Sequence, residues 1–143
     1  MTPALPATSR SHRLLTRPQA SYHGLILDTL YHWAPAERRP NIKRRGLLNR
    51  TPSGSDGEDG PILYAVCTGT DPVVAWNLSG GIQALPGERW DLWSIDTHDD
   101  DHYLPIDHQG PRLYEVRILN PVPYRRLWLV GTRTVGGRRW AAA

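Results

Sequence analysis

Apolar residues in this chain come in short runs, each closed off by proline, glycine or charge. The first, residues 25–33, reads as a strand that carries His32 to its end. A short basic helix is predicted over residues 36–45. Pro35 marks its first turn and Gly46 lies just past its last, the asymmetry by which helices start and stop. Residues 62–67, between Pro61 and Gly69, predict a buried strand. Thr70-Asp71-Pro72 then supplies a capping side chain and a first-turn proline for a helix that carries Val73, Val74 and Trp76 and ends at Gly80-Gly81. Strands are predicted over residues 90–96, 113–119 and 127–132, with Pro121 and Pro123 breaking the chain before the last. Residues 51–60, almost without apolar side chains, and the acidic stretch 96–107 read as loops. Short strands outnumber helices, so the pattern predicts an α+β domain with a split or curled antiparallel sheet and a few short helices, without internal repeats.

Composition narrows the picture modestly. A chain of 143 residues fits one domain with a real core. Residues 1–20 are expected to be a disordered tail, 21–135 the domain, and 136–143 a basic tail around Gly136-Gly137-Arg138-Arg139. Seventeen Lys and Arg against fourteen Asp and Glu give a net charge of +3, which permits a nucleic-acid partner or a phosphate-rich ligand without requiring either. The single cysteine, Cys67, excludes an internal disulfide and a cysteine-based zinc site, and its apolar surroundings suggest a small core residue. No apolar stretch approaches the roughly 18–20 residues of a membrane helix, and the first twenty residues hold no apolar block of a secretory leader. A soluble cytoplasmic protein is expected. Six tryptophans and no phenylalanine leave two roles open for Trp33, Trp76, Trp90, Trp93 and Trp128: core and cleft wall, or a base-stacking platform.

Three segments together resemble the ADP-ribosyltransferase fold, in its His-Tyr-Glu branch, which includes small bacterial transferases and DNA-modifying toxin enzymes. The first is Leu30-Tyr31-His32-Trp33 followed by a helix and Gly46-Leu47. The second is Ile62-Leu63-Tyr64-Ala65 running into Thr70-Asp71-Pro72 and a helix. The third is Tyr114-Glu115-Val116-Arg117 followed by Asn120-Pro121-Val122-Pro123 and an apolar strand. The resemblance spans residues 30–130. It implies that His32 holds ribose hydroxyls, Tyr64 stacks on nicotinamide, and Glu115 grips the second ribose and orients or deprotonates an acceptor. Trp33 and Arg44 would join His32 and Tyr64 in binding NAD. Basic residues of the first helix (Arg38, Arg39, Lys43, Arg44, Arg45) steer the pyrophosphate, or simply form a solvated face.

Each assignment has a plainer alternative in the residues themselves. Tyr64 can pack in the core. Strand alternation puts Glu115 and Arg117 on the face opposite Tyr114, Val116 and Ile118, either lining a cleft or as an exposed ion pair of little weight. His98-Asp99-Asp100-Asp101-His102, with Asp107-His108 nearby, is a rival metal-binding cluster, yet it lacks the helical spacing of zinc motifs and reads better as a solvated loop; no metal is expected. Asp96, Asp99, Asp100 or Asp101 are substitutes for the acid if Glu115 is not it. Tyr22-His23-Gly24 imitates the first motif but lacks the helix that follows His32.

The chain departs from the arginine-modifying branch: a Ser-Thr-Ser signature is missing around Tyr64, and Leu113 stands where that branch has Glu or Gln. The resemblance therefore implies an NAD-dependent ADP-ribosyltransferase that acts on a nucleic-acid or small-molecule acceptor and releases nicotinamide. An NAD glycohydrolase and a catalytically silent binding domain of the same fold are the alternatives. Transfer of a tRNA 2′-phosphate to NAD ranks lower, because the arginines of that family are not evident.

Overall fold

The computed structural model describes residues 14–55, 62–107, 114–136 and 141–142. Among the described residues eight strands and three short helices follow one another: α1 (Arg17–Tyr22), β1 (Thr29–Pro35), α2 (Arg39–Arg45), β2 (Thr51–Ser55), β3 (Ile62–Gly69), α3 (Pro72–Leu78), β4 (Arg89–Asp96), β5 (Tyr103–Asp107), β6 (Tyr114–Ile118), β7 (Leu127–Thr134) and β8 (Ala141–Ala142). Every strand pairing is antiparallel, in the order β5-β6-β3-β1-β4-β7-β8, with β2 added on β3. This is the α+β class with an antiparallel sheet and few helices.

The sheet is uneven at its centre. β1 pairs with β4 along its whole length, from Thr29↔Asp96 to Pro35↔Trp90, and β3 pairs with β6 over four residues. Between β1 and β3 only Tyr31↔Gly69 pairs. The two half-sheets are thus joined by a single bridge.

Each face carries its own core. Leu30, Ala34, Trp93, Ile95, Val66, Val116 and Ile118 share the larger one with Leu15, Ala20 and Leu27 from the N-terminal segment, Ile42 of α2, and Val122. Trp33, Ala75, Trp76, Trp90 and Leu92 make the smaller one on the opposite face, beneath α3. Alternation along β1 explains the division: Leu30 and Ala34 leave one side, Tyr31 and Trp33 the other.

Sequence and structure agree on the start of α3, where Asp71 caps the Val73 and Val74 amides. Gly46 ends α2 as predicted, with φ +73°. The helix predicted over residues 36–45 divides into a 3-10 turn, Ala36–Arg38, and α2. β1 begins at Thr29, later than the apolar run suggested.

Four expectations are corrected. The ordered fold begins within the expected tail 1–20. α1 is closed by a capping box between Thr16 and Gln19, and Leu15 is buried and bridged to Tyr103. Residues 51–55 form β2 rather than loop, because β3 offers its edge to their backbone. Residues 103–107 form β5 on β6, with Tyr103 and Leu104 buried, and so are not loop either. Within the expected C-terminal tail, Ala141 and Ala142 pair with Thr132 and Gly131. No helix among the described residues is long and apolar enough to cross a membrane.

Candidate functional site

β6, β3 and β1, which carry Glu115, Tyr64 and His32, are consecutive in the sheet. Tyr31, Gly69 and Glu115 form one transverse row, since Tyr31 pairs with Gly69 and Gly69 with Glu115. His32 lies one step further along β1, paired with Trp93 of β4. An ideal pleat would send its side chain to the face opposite Glu115. From there the ring reaches across to β3, and its Nδ1 meets the Cys67 carbonyl at 2.7 Å. A carbonyl only accepts, so Nδ1 carries the proton and Nε2 keeps its lone pair. Burial lowers the pKa of His32, opposed by the hydrogen bond to Cys67, and the nearby Arg38 lowers it further. The imidazole is therefore neutral near pH 7, and it replaces the backbone ladder just where β1 and β3 part.

Glu115 is 7% exposed, so it is not the solvated half of a surface pair. Arg117 holds it from the same face of β6: Nε and Nη2 each lie 2.8 Å from Oε1. Both contacts fall on one oxygen. Oε2 has no hydrogen-bond partner among the described residues.

Cys67 joins these two groups, and sequence reasoning missed that role. Its carbonyl accepts from His32, it pairs with Arg117 across β3 and β6, and its thiol feels both Arg117 and Glu115. Burial pushes the thiol pKa up, with Glu115 raising and Arg117 lowering it. The available signal was its place three residues after Tyr64 in the same strand, which an apolar reading of the run hides.

Tyr64 is 48% exposed, so it is not a core residue. Its backbone pairs with Pro52 of β2. No hydrogen bond, ion pair or ring contact joins it to His32 or Glu115. Cys67 thus links His32 and Glu115, while Tyr64 stands apart on the same strand, three positions away, where alternation turns its side chain to the other face; a single cleft shared by all three is not observed.

Other expected site residues are used differently. Trp33 is buried, donates from Nε1 to the Pro72 carbonyl at 2.9 Å and meets Trp76 edge-on, so its ring belongs to the smaller core rather than to a cofactor surface. Arg39 is held by the buried Asp91 through two hydrogen bonds of 2.8 and 2.7 Å. Arg44 is exposed near the end of α2, beside Asn41 at 3.1 Å. The rival acidic segment works as a clasp. Asp99 holds Arg17, Asp101 holds Arg126 and the Tyr103 hydroxyl, and Asp96 accepts from the Trp128 indole. Asp96, Asp99 and Asp101 are thus engaged by the fold, whereas Asp100 is exposed and meets the neighbouring His98 at 3.6 Å. Among the described residues no three His, Cys, Asp or Glu side chains gather as a metal site.

Comparison with protein-family models, with curated proteins and with solved structures finds no match. The site's geometry therefore bears the functional argument.

Proposed function

We propose that this protein is an NAD-dependent ADP-ribosyltransferase of the His-Tyr-Glu type, moving ADP-ribose to a nucleic-acid or small-molecule acceptor. The observation that carries this reading is that His32 and Glu115 each have one polar atom pinned by the protein and the other without a partner among the described residues, with Cys67 between them. A sheet split beside these residues suits a ligand that must reach in between two strands. NAD as substrate fits the residue types. Nε2 of His32, without a partner among the described residues, can accept a hydrogen bond from a ribose hydroxyl, and Tyr64, exposed on β3 but apart from His32 and Glu115, offers an aromatic ring of the kind that stacks on nicotinamide.

The reaction breaks the bond between ribose C1′ and the nicotinamide nitrogen, and the electron pair leaves with nicotinamide. Positive charge then builds on the ribose, as in other glycosidic cleavages. The Glu115 carboxylate would stabilise that charge in a nearly dry setting, where a charge counts for more than in water. The acceptor forms the new bond to C1′, and its proton passes through Oε2 of Glu115 to solvent. Arg117 keeps the other oxygen fixed throughout. If water is the acceptor, the same steps describe an NAD glycohydrolase.

The test is release of nicotinamide from labelled NAD, with and without single-stranded nucleic acid. The expected result is release that falls at least about 100-fold in Glu115→Gln, the scale on which a positioned electrostatic group acts. Absence of release from the wild type with every acceptor overturns the enzymatic reading. Undiminished release by Glu115→Gln overturns the assignment of the acid. A silent NAD-binding domain would show saturable NAD binding without release.

A further inference from the structure

Trp90 of β4 and Arg133 of β7 are directly paired in the antiparallel ladder, so their side chains leave the same face of the sheet. Both converge on Trp76 of α3. The Trp90 ring meets it edge-on with centroids 5.7 Å apart, and the Arg133 guanidinium carbon lies 4.0 Å from the Trp76 ring centroid. Trp90 is only 7% exposed. Its indole Nε1 and the Nε of Arg133 are both shut away from solvent, and neither has a hydrogen-bond acceptor.

No carboxylate answers this charge among the described residues. Asp91, next to Trp90, leaves the opposite face and is taken by Arg39, while Glu88 accepts from the Leu85 amide. A buried donor without an acceptor is destabilising, more so when charged, and such a group in a native fold calls for an explanation. Here two of them stand side by side over one aromatic floor.

We propose that Trp90, Arg133 and Trp76 form a binding site for a tetrahedral oxyanion of the phosphate class. The planar guanidinium offers a two-pronged fork, which the two oxygens of a carboxylate would already fill. The indole N–H adds a third donor from the neighbouring strand, and phosphate has a further oxygen to meet it. Binding draws the guanidinium off the Trp76 ring and opens both donors. The 3-10 turn Gly80–Gln83 packs on the two tryptophans, with Gly80 against the far edge of Trp90 and Gly81 against the ring of Trp76. The site does not depend on the NAD reading: Trp90 pairs with Pro35 at the far end of β1 from Tyr31, and it belongs to the core under α3.

The experiment follows the tryptophan indole signals of the full chain in proton–nitrogen correlation spectra during titration with inorganic phosphate, adenosine monophosphate or acetate. Trp90→Phe assigns the Trp90 signal. Phosphate and the nucleotide are expected to move that signal downfield with saturation, and acetate to leave it in place. Arg133→Lys keeps the charge but loses the fork, and is expected to weaken phosphate binding about tenfold. A Trp90 signal that ignores phosphate overturns the proposal, as does an Arg133→Lys variant that binds like the wild type. An acetate response equal to that of phosphate overturns the tetrahedral class. If Arg133→Lys loses its native spectrum, the wild-type titrations alone decide.

Discussion

His32 must stay neutral to do what the fold asks of it, since a second ring proton would put a charge into the gap between β1 and β3. Burial holds its pKa below the ordinary 6.5, so between those two values the unfolded chain carries a proton that the folded chain does not. Stability tied to this residue is therefore complete above about pH 6.5 and is lost as the pH falls through that value towards the folded pKa. Urea midpoints measured at about pH 7.5 and about pH 5 are expected to differ accordingly, and His32→Gln is expected to flatten the difference. Asp91 gives a second residue-scale prediction. Its carboxylate is buried and depends on Arg39, so Arg39→Ala leaves an uncompensated charge and is expected to destabilise by about 3–5 kcal/mol in denaturant titration. Cys67, with its thiol pKa raised by burial, is expected to react with iodoacetamide more slowly than a free cysteine at neutral pH.

At the scale of elements, the helices were legible because their ends are written in side chains. Asp71-Pro72 and Gly46 each act through a local backbone rule that needs no knowledge of the rest of the chain. β2 and β5 were not legible. Thr51-Pro52-Ser53-Gly54-Ser55 has no alternating pattern, and what makes it a strand is the open edge of β3. β5 follows an acidic stretch in which Asp99 and Asp101 are paired by Arg17 and Arg126, partners distant in sequence. α1 carried a signal that went unread, the Thr16–Gln19 capping box with Pro18 in its first turn. Thr16→Ala is expected to lower stability by about 1 kcal/mol, read as a lower thermal midpoint; an unchanged midpoint would mean that α1 is not coupled to the fold. α3 lies so close to β3 that a Cβ on Gly69 would stand 2.7 Å from the Ala75 amide nitrogen and 3.0 Å from Val74. Gly69→Ala is expected to cost about 1–3 kcal/mol through that overlap, and, because Gly69 pairs with Glu115, to disturb the candidate acid as well.

For the whole molecule, composition and pattern pointed to one α+β domain with a split or curled antiparallel sheet; the antiparallel sheet with few short helices is there, narrowed at its centre to the single β1–β3 bridge. The candidate site was legible residue by residue but not as an arrangement. Strand alternation correctly put Glu115 and Arg117 on one face away from Val116 and Ile118, because that is a property of one strand. The hydrogen bond of His32 to β3 and the linking role of Cys67 depend on where two strands stop pairing, which no single segment records. For the same reason Trp33 read as part of the site although it fills the core under α3.

That bridge also bears on how the chain can be divided. β2, β3, β5 and β6 lie on one side of it and β1, β4, β7 and β8 on the other, so the backbone passes from side to side four times, after β1, β3, β4 and β6. Neither half is a continuous stretch of sequence. Cutting the chain at any loop between β2 and β6 therefore yields pieces that each contain strands from both sides, laced together like two cloths by one thread. Fragments split between β3 and α3 are expected to recover a folded spectrum only when mixed, and neither alone.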